Sequence, residues 1–172
     1  MDIVNFRNKL GEGGARPNQF LVTINWPLAV GSGTSDESIL VSGAALPASN
    51  VGATILPYRG REVKLAGERT FDPWTITVLN DSDMKLRRKF ELWSDLMNNR
   101  VTNGGITVPS LYFSDLMVEQ KTRNDITVRT YLMRGAFPTQ VSEVALDYGQ
   151  NDVISSFTVT LMYQRFDVLP AL

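Results

Sequence analysis

Three clusters in this chain have residue types and spacings that invite a chemical reading. Asp115 and Glu119 stand four apart in a strand-like segment, so both carboxylates share one face, as a general acid–base pair requires. Asn80-Asp81-Ser82-Asp83 has the oxygen density of the start of a calcium loop. Gly11-Glu12-Gly13-Gly14 has the glycine density of a phosphate-cradling loop. Each lacks what its chemistry needs. The carboxylate pair sits on a strand face that reads as solvated. The Asn-Asp-Ser-Asp run lacks the glycine and distal glutamate that close a calcium loop, and it reads instead as helix capping. The glycine cluster has no strand before it and no clear helix after it.

The chain also lacks the side chains on which most protein chemistry depends. It has no histidine, hence neither the commonest general base nor the commonest transition-metal ligand. It has no cysteine, which excludes thiol catalysis, disulfides and thiolate metal sites and suits a reducing compartment. The expectation is a protein without catalytic residues, cofactor or metal. With 17 basic and 18 acidic residues the formal charge is −1, whereas proteins that grip nucleic-acid backbone carry a basic excess. The charges are uneven. Lys85, Arg87, Arg88, Lys89 and Arg100 face only Glu91 and Asp95 between 84 and 100. From 135 onward Arg165 stands alone against Glu143, Asp147, Asp152 and Asp167. Such asymmetry suits self-association through complementary patches, or is an ordinary mixed surface.

The elements that position these residues are mostly strands. A length of 172 residues suits about one domain with its own core. No apolar run approaches the roughly 20 residues of a membrane span, and no signal-type segment opens the sequence, so no membrane anchor is expected. Residues 1–18 read as a flexible arm, with Phe6 and Leu10 as anchors on a partner or simply a frayed end. Residues 19–172 read as one β-rich domain. Gln19–Trp26 alternates Phe20, Val22, Ile24 and Trp26 on one face, and a polar connection over 31–37 leads to a short strand at Ile39–Ser42. Residues 50–66 read as an extended hairpin or loop with sparse apolar residues, either mobile or lying on a neighbouring molecule. A charged turn, Gly67–Thr70, then opens into a strand with Trp74, Ile76 and Val78 on one face. A single amphipathic helix is expected at about 83–98, its core stripe Leu86, Phe90, Trp93 and Met97. Strands follow at Leu111–Lys121, Ile126–Arg134, Val141–Leu146 and Val153–Arg165, with a break at Gly135–Pro138. The predicted class is mainly β: an antiparallel sandwich or barrel-like subunit with one helix. Threonines recur on the polar strand faces, Thr75 with Thr77, Thr158 with Thr160, and Thr127 beside Arg129. They read either as a solvated sheet face or as a polar, nearly neutral wall.

Several segments occur in a recognisable order. Ala15-Arg16-Pro17-Asn18-Gln19-Phe20 leads into the first strand, and Ala45-Leu46-Pro47-Ala48 follows. The block Gly67 to Val78, with Asn80-Asp81 after it, is the most specific. Lys89-Phe90 and Trp93 come next on the helix. Pro138-Thr139 with Val141 and Glu143, Leu146-Asp147-Tyr148, and Phe157-Thr158-Val159-Thr160-Leu161 complete the set. Over about residues 15–163 the chain resembles the tail tube proteins of contractile-tailed bacteriophages. It departs from them in a longer glycine-rich insertion at 28–37 and a different segment at 101–112.

The resemblance implies a structural virion protein that forms hexameric rings. Their sheets would join into a continuous β-barrel, and stacked rings would form the inner tail tube through which the genome is delivered. Implied partners are further copies of the chain, the tail sheath protein, baseplate tube-initiator and tail-terminator proteins, a tape measure protein, and DNA in transit through the bore. The implied location is the phage tail, after assembly in the host cytoplasm. On this reading Tyr58, Arg59, Arg61, Arg69 and Phe6 are candidates for contacts between subunits and rings, and Thr75, Thr77, Thr158 and Thr160 for the bore. Rival readings are a baseplate tube initiator, a tube of a related injection or secretion machine, and a monomeric carbohydrate-binding sandwich stacking sugars on Trp26, Trp74 or Trp93.

Overall fold

Residues 127–141 form one 15-residue strand, β7 (Thr127–Val141), and the fold is organised around it. The structure is a computed structural model that describes residues 2–11, 14–31 and 35–170. Glu12 and Gly13 of the glycine cluster, and residues 32–34 of the expected polar connection, lie outside the described residues. The other elements are α1 (Ile3–Lys9), β1 (Phe20–Ile24), β2 (Val41–Ala44), β3 (Ser49–Tyr58), β4 (Arg61–Phe71), β5 (Trp74–Leu79), α2 (Lys85–Met97), β6 (Ser114–Lys121), β8 (Ser156–Met162) and β9 (Arg165–Leu169). Two 3-10 turns, Ser35–Leu40 and Pro109–Leu111, complete the set. The architecture is mainly β and antiparallel, as expected.

Strand order in the main sheet is β1-β6-β7-β8-β5-β2, with β9 also on β7, while β3 and β4 pair only with each other. The first half of β7 lies between β6 and β9, and its second half pairs with β8. This divides the sheet into two wings, one of β1, β6 and β9 and one of β8, β5 and β2, that share β7. The bend between them falls at Gly135, whose φ of +62° is a left-handed conformation that L side chains rarely adopt. A Cβ there would also stand 3.0 Å from Cγ of Gln164. Gln164 marks the break between β8 and β9, and its N–H donates to the Arg134 carbonyl at 3.0 Å. The two strands that span both wings therefore bend side by side. The expected break at Gly135–Pro138 is thus a bend within a strand. The expected strand at Val141–Leu146 is only the end of β7, and Val153–Arg165 is divided into β8 and the start of β9.

Alternation builds the core. Trp74, Ile76 and Val78 of β5, and Phe157, Val159 and Leu161 of β8, point inward from one wing. Val22, Leu116, Val118 and Met133 meet them from the other. Helix α2 contributes Leu86, Phe90 and Trp93 to the same cluster, while Met97, expected there too, is half-exposed at the last turn. Phe90 packs edge-on against Trp26 at 4.9 Å and against Phe157 at 6.2 Å, so the helix holds both wings. The Trp93 indole N–H donates to the Tyr112 carbonyl at 2.7 Å. The N-cap position is Met84, which offers no side-chain cap; of the expected capping run, Asp81 accepts from the Lys85 N–H at 2.9 Å from outside that position. Against the expectation of a single helix, the amino-terminal arm carries the seven-residue α1, none of it buried.

Two consequences can be measured. Gly135→Ala combines a left-handed backbone with crowding against Gln164, and should lower unfolding stability by about 1–3 kcal/mol in denaturant titration. Phe90→Ala should cost about 3–5 kcal/mol, with Met97→Ala costing clearly less, because only the first empties a buried site.

Candidate assembly interface

The sites that the sequence singled out for chemistry are occupied by structural contacts. Asp115 holds the Arg134 guanidinium at 2.5 Å, Asp167 approaches the same group at 3.3 Å, and Glu119 accepts from the Thr130 hydroxyl at 3.5 Å. Both carboxylates have partners, and the Asp115 side chain still reaches solvent, 36% exposed. The two aspartates push the Arg134 pKa further up, Asp115 first. Asp83 is held below its usual range by the Lys85 ammonium that it binds, and Lys85 is raised in turn. Burial, and then Asp72, pushes the Tyr163 phenol up, and its O–H donates to the Ala48 carbonyl at 3.1 Å. These are ion pairs and packing, with no activated nucleophile among them. Among the described residues no group of His, Cys, Asp and Glu side chains is placed to hold a metal ion.

The tryptophans are equally committed. Trp74 and Trp93 are 2% and 0% exposed, and the Trp74 indole donates to the Ala45 carbonyl at 2.5 Å. Trp26 donates to Glu37 at 2.8 Å and packs on Phe90 and Trp93. Lys89 also binds Glu37 and lies over the Trp26 ring. A sugar-stacking platform on Trp74 or Trp93 is excluded by their burial.

The four threonines are brought together. Thr75 pairs with Thr160 and Thr77 with Thr158 across β5 and β8, on the face opposite the core. The Thr75 and Thr160 hydroxyls lie 3.2 Å apart. Together they form a continuous neutral patch of hydroxyls and methyls, with Thr75 and Thr158 the more exposed members.

Between β2 and β5 the chain forms the β3–β4 hairpin, whose aromatic contacts with the rest of the molecule, among the described residues, lie at its base. There Phe71 meets Tyr163 at 5.8 Å and Phe166 at 5.6 Å. The hairpin is longer than expected, because Gly67–Thr70 belongs to β4 and is not a turn. It reverses at Arg59-Gly60, with φ of +48° and +81°, the doubly left-handed pattern that matches strand twist in a two-residue loop. Tyr58 and Arg61 face each other beside this tip. Arg69 is at the base, about 27 Å along the strand from Arg61, and donates to the Ser49 hydroxyl at 2.9 Å. Phe6 belongs to a separate element, α1, where it is exposed with Ile3 and Leu10 at helical spacing.

Two surfaces escaped sequence reading. The register Leu56 to Val63 and Thr54 to Leu65 puts Leu56, Tyr58, Val63 and Leu65 on one hairpin face, all exposed. Their parity differs between the strands, so only the position of the turn reveals the stripe. The connection 142–155 exposes Leu146, Tyr148, Val153 and Ile154, which in sequence looked like strand and turn residues.

Comparison with known proteins gives this geometry its context. The chain is 35% identical over 151 residues to tail tube protein gp19 of Enterobacteria phage T4, covering 86% of this chain and 87% of that one. It is 29% identical over 162 residues to the tail tube protein of Serratia phage KSP90, covering 92% of each. Its fold is similar to a chain in the anti-feeding prophage baseplate (TM-score 0.67, 15% identity, 92% and 97% of the two chains). It is also similar to one in the PVC sheath-tube complex of an extracellular contractile injection system (TM-score 0.61, 16% identity, 96% and 97%). A family model described as phage tail tube protein matches residues 15–169, and with this match and the identity to gp19 the chain belongs to the phage tail tube protein family.

Proposed function

We propose that this structural tail tube protein builds a hexameric ring by joining the β8 wing of each subunit to that of the next. The observation that carries the reading is the strand arrangement of that wing. The second half of β7, β8, β5 and β2 run alternately up and down, and the outer edges of β2 and of residues 137–141 have no strand partner among the described residues. Because four strands is an even number, β2 of one subunit meets β7 of the next in antiparallel sense. Every ring junction then repeats the pairing found inside the subunit, and no exposed edge remains in the β8 wing. Such closure produces a continuous β-barrel with the Thr75, Thr77, Thr158 and Thr160 face lining the bore. A neutral hydroxyl wall suits DNA in transit, because fixed cations would hold phosphate.

Rings stack head to tail. The hairpin, about 30 Å long by its residue count, leaves the wing from the carboxyl end of β2 and returns at the start of β5, a placement that suits a reach across the boundary between rings. Tyr58, Arg59 and Arg61 at its tip, Arg69 at its base, and Phe6 on α1 are the contacts offered to neighbours. A seven-residue helix without a buried residue is marginal alone and gains stability from a partner. The tube so formed lies within the sheath, begins on a baseplate initiator, ends at a terminator, and encloses a tape measure protein until DNA passes. Its place is the virion tail, after assembly in the host cytoplasm.

Replacing residues 52–64 by a short turn should leave a subunit that still unfolds cooperatively but makes no long tubes in negative-stain micrographs; normal tubes would overturn the stacking role. Thr75→Lys together with Thr158→Lys should leave tube length unchanged in assembled phage. It should also slow DNA release, by a factor that shrinks as salt is raised. Release at the unaltered rate would remove these threonines from the bore.

A further inference from the structure

The hairpin and the 142–155 connection lie at opposite ends of the β8 wing. The hairpin leaves from the carboxyl end of β2 and returns at Trp74, the start of β5. Trp74 pairs with Leu161, at the far end of β8. Residues 142–155 join Val141 to Ser156, which pairs with Leu79 at the other end of β5. In a head-to-tail stack, the end of the wing that carries the hairpin in one ring therefore meets the end that carries this connection in the next.

The two surfaces also match chemically. From 49 to 71 the hairpin carries Arg59, Arg61, Lys64 and Arg69 against Glu62 and Glu68, a net charge of +2. Residues 142–155 carry Glu143, Asp147 and Asp152 with no Lys or Arg, a net charge of −3. Among the described residues Arg59, Arg61, Lys64, Glu143, Asp147 and Asp152 form no salt bridge within the subunit, and the Asp147 carboxylate accepts the Gly149 N–H. Each side also presents apolar groups. Leu56, Val63 and Leu65 on the hairpin are 45–49% exposed, and Leu146 and Tyr148 on the connection are 85% exposed or more. Apolar groups ringed by opposite charges are what a specific, steered protein contact requires.

We propose that the 142–155 connection, centred on Leu146, Asp147 and Tyr148, is the acceptor on which the β3–β4 hairpin of a second copy in the adjacent ring docks. The proposal rests on the stacking reading above and adds the identity of the acceptor. Asp147 and Asp152 pair with Arg59 and Arg61, while Leu146 and Tyr148 cover the Leu56, Val63 and Leu65 stripe.

The test is charge exchange. Arg59→Glu with Arg61→Glu, and separately Asp147→Arg with Asp152→Arg, should each cut pelletable tube at least tenfold, and the combined variant should restore it. All three are exposed changes that leave circular dichroism native. Tubes of normal yield from the Asp147 and Asp152 variant, or combined changes that fail to restore assembly, overturn the acceptor assignment. The 52–64 deletion separates the two claims. If it abolishes tubes while the connection variant does not, stacking stands and the acceptor is elsewhere; if it assembles normally, stacking itself falls. A second readout uses the absence of native cysteine. Tyr58→Cys with Tyr148→Cys in one chain should give a ladder of oxidised multimers from assembled tubes, and monomer alone on a denaturing gel would count against the contact.

Discussion

The bend of β7 at Gly135 is the constraint from which the rest of this subunit follows. One strand serves two wings, so the sheet folds over itself and its two inner faces meet in a single core. The bend depends on a residue without a Cβ, because the backbone is left-handed there and Gln164 crowds the site. Pairing between β7 and the β8–β9 strand persists across it through the Gln164 N–H to Arg134 carbonyl bond. Arg134, just before the bend, binds Asp115 on one neighbouring strand and Asp167 on the other. Helix α2 then fixes the angle, since Phe90 and Trp93 pack against Trp26 after β1 while Phe90 also meets Phe157 on β8. Moving any of these would change the angle between the wings, and with it the shape of whatever the β8 wing builds.

Much of this was legible in the sequence, for physical reasons that can be named. Alternation identified β5 and β8, because one face of each is dry and the other polar, and a period of two then shows plainly. The spacing of Leu86, Phe90 and Trp93 identified α2 and its buried face for the same reason at a period of 3.6. Gly135 misled because glycine followed by proline reads as a strand end, whereas here the glycine bends the strand and Pro138 sits where the register with β8 shifts. The split between β8 and β9 had no local signal, since alternation runs on through Tyr163.

The candidate assembly surfaces were legible in part. The threonine face emerged because its members repeat within a strand, and their pairing follows once β5 and β8 are known neighbours. The apolar stripe of the hairpin was hidden, because Leu56 and Tyr58 occupy even positions and Val63 and Leu65 odd ones. Register, set by the Arg59-Gly60 turn, brings them to one side. Met97 was misplaced because a helix stripe does not reveal where the sheet beneath it ends. Exposure of Leu146 and Tyr148 has no sequence signature at all, since apolar residues are expected inside.

The placement of a protruding basic hairpin and an acidic apolar connection at opposite ends of one wing has a geometric consequence. Any polymer joined this way is directional: one terminus displays hairpins and the other displays vacant connections. The two termini are chemically different surfaces, so a protein that seeds growth at one cannot cap the other. Each added ring regenerates the surface that received it, so nothing in the joint itself counts rings. A joint of this kind would encode direction but not length, and a finite polymer built on it would need a ruler made of something else.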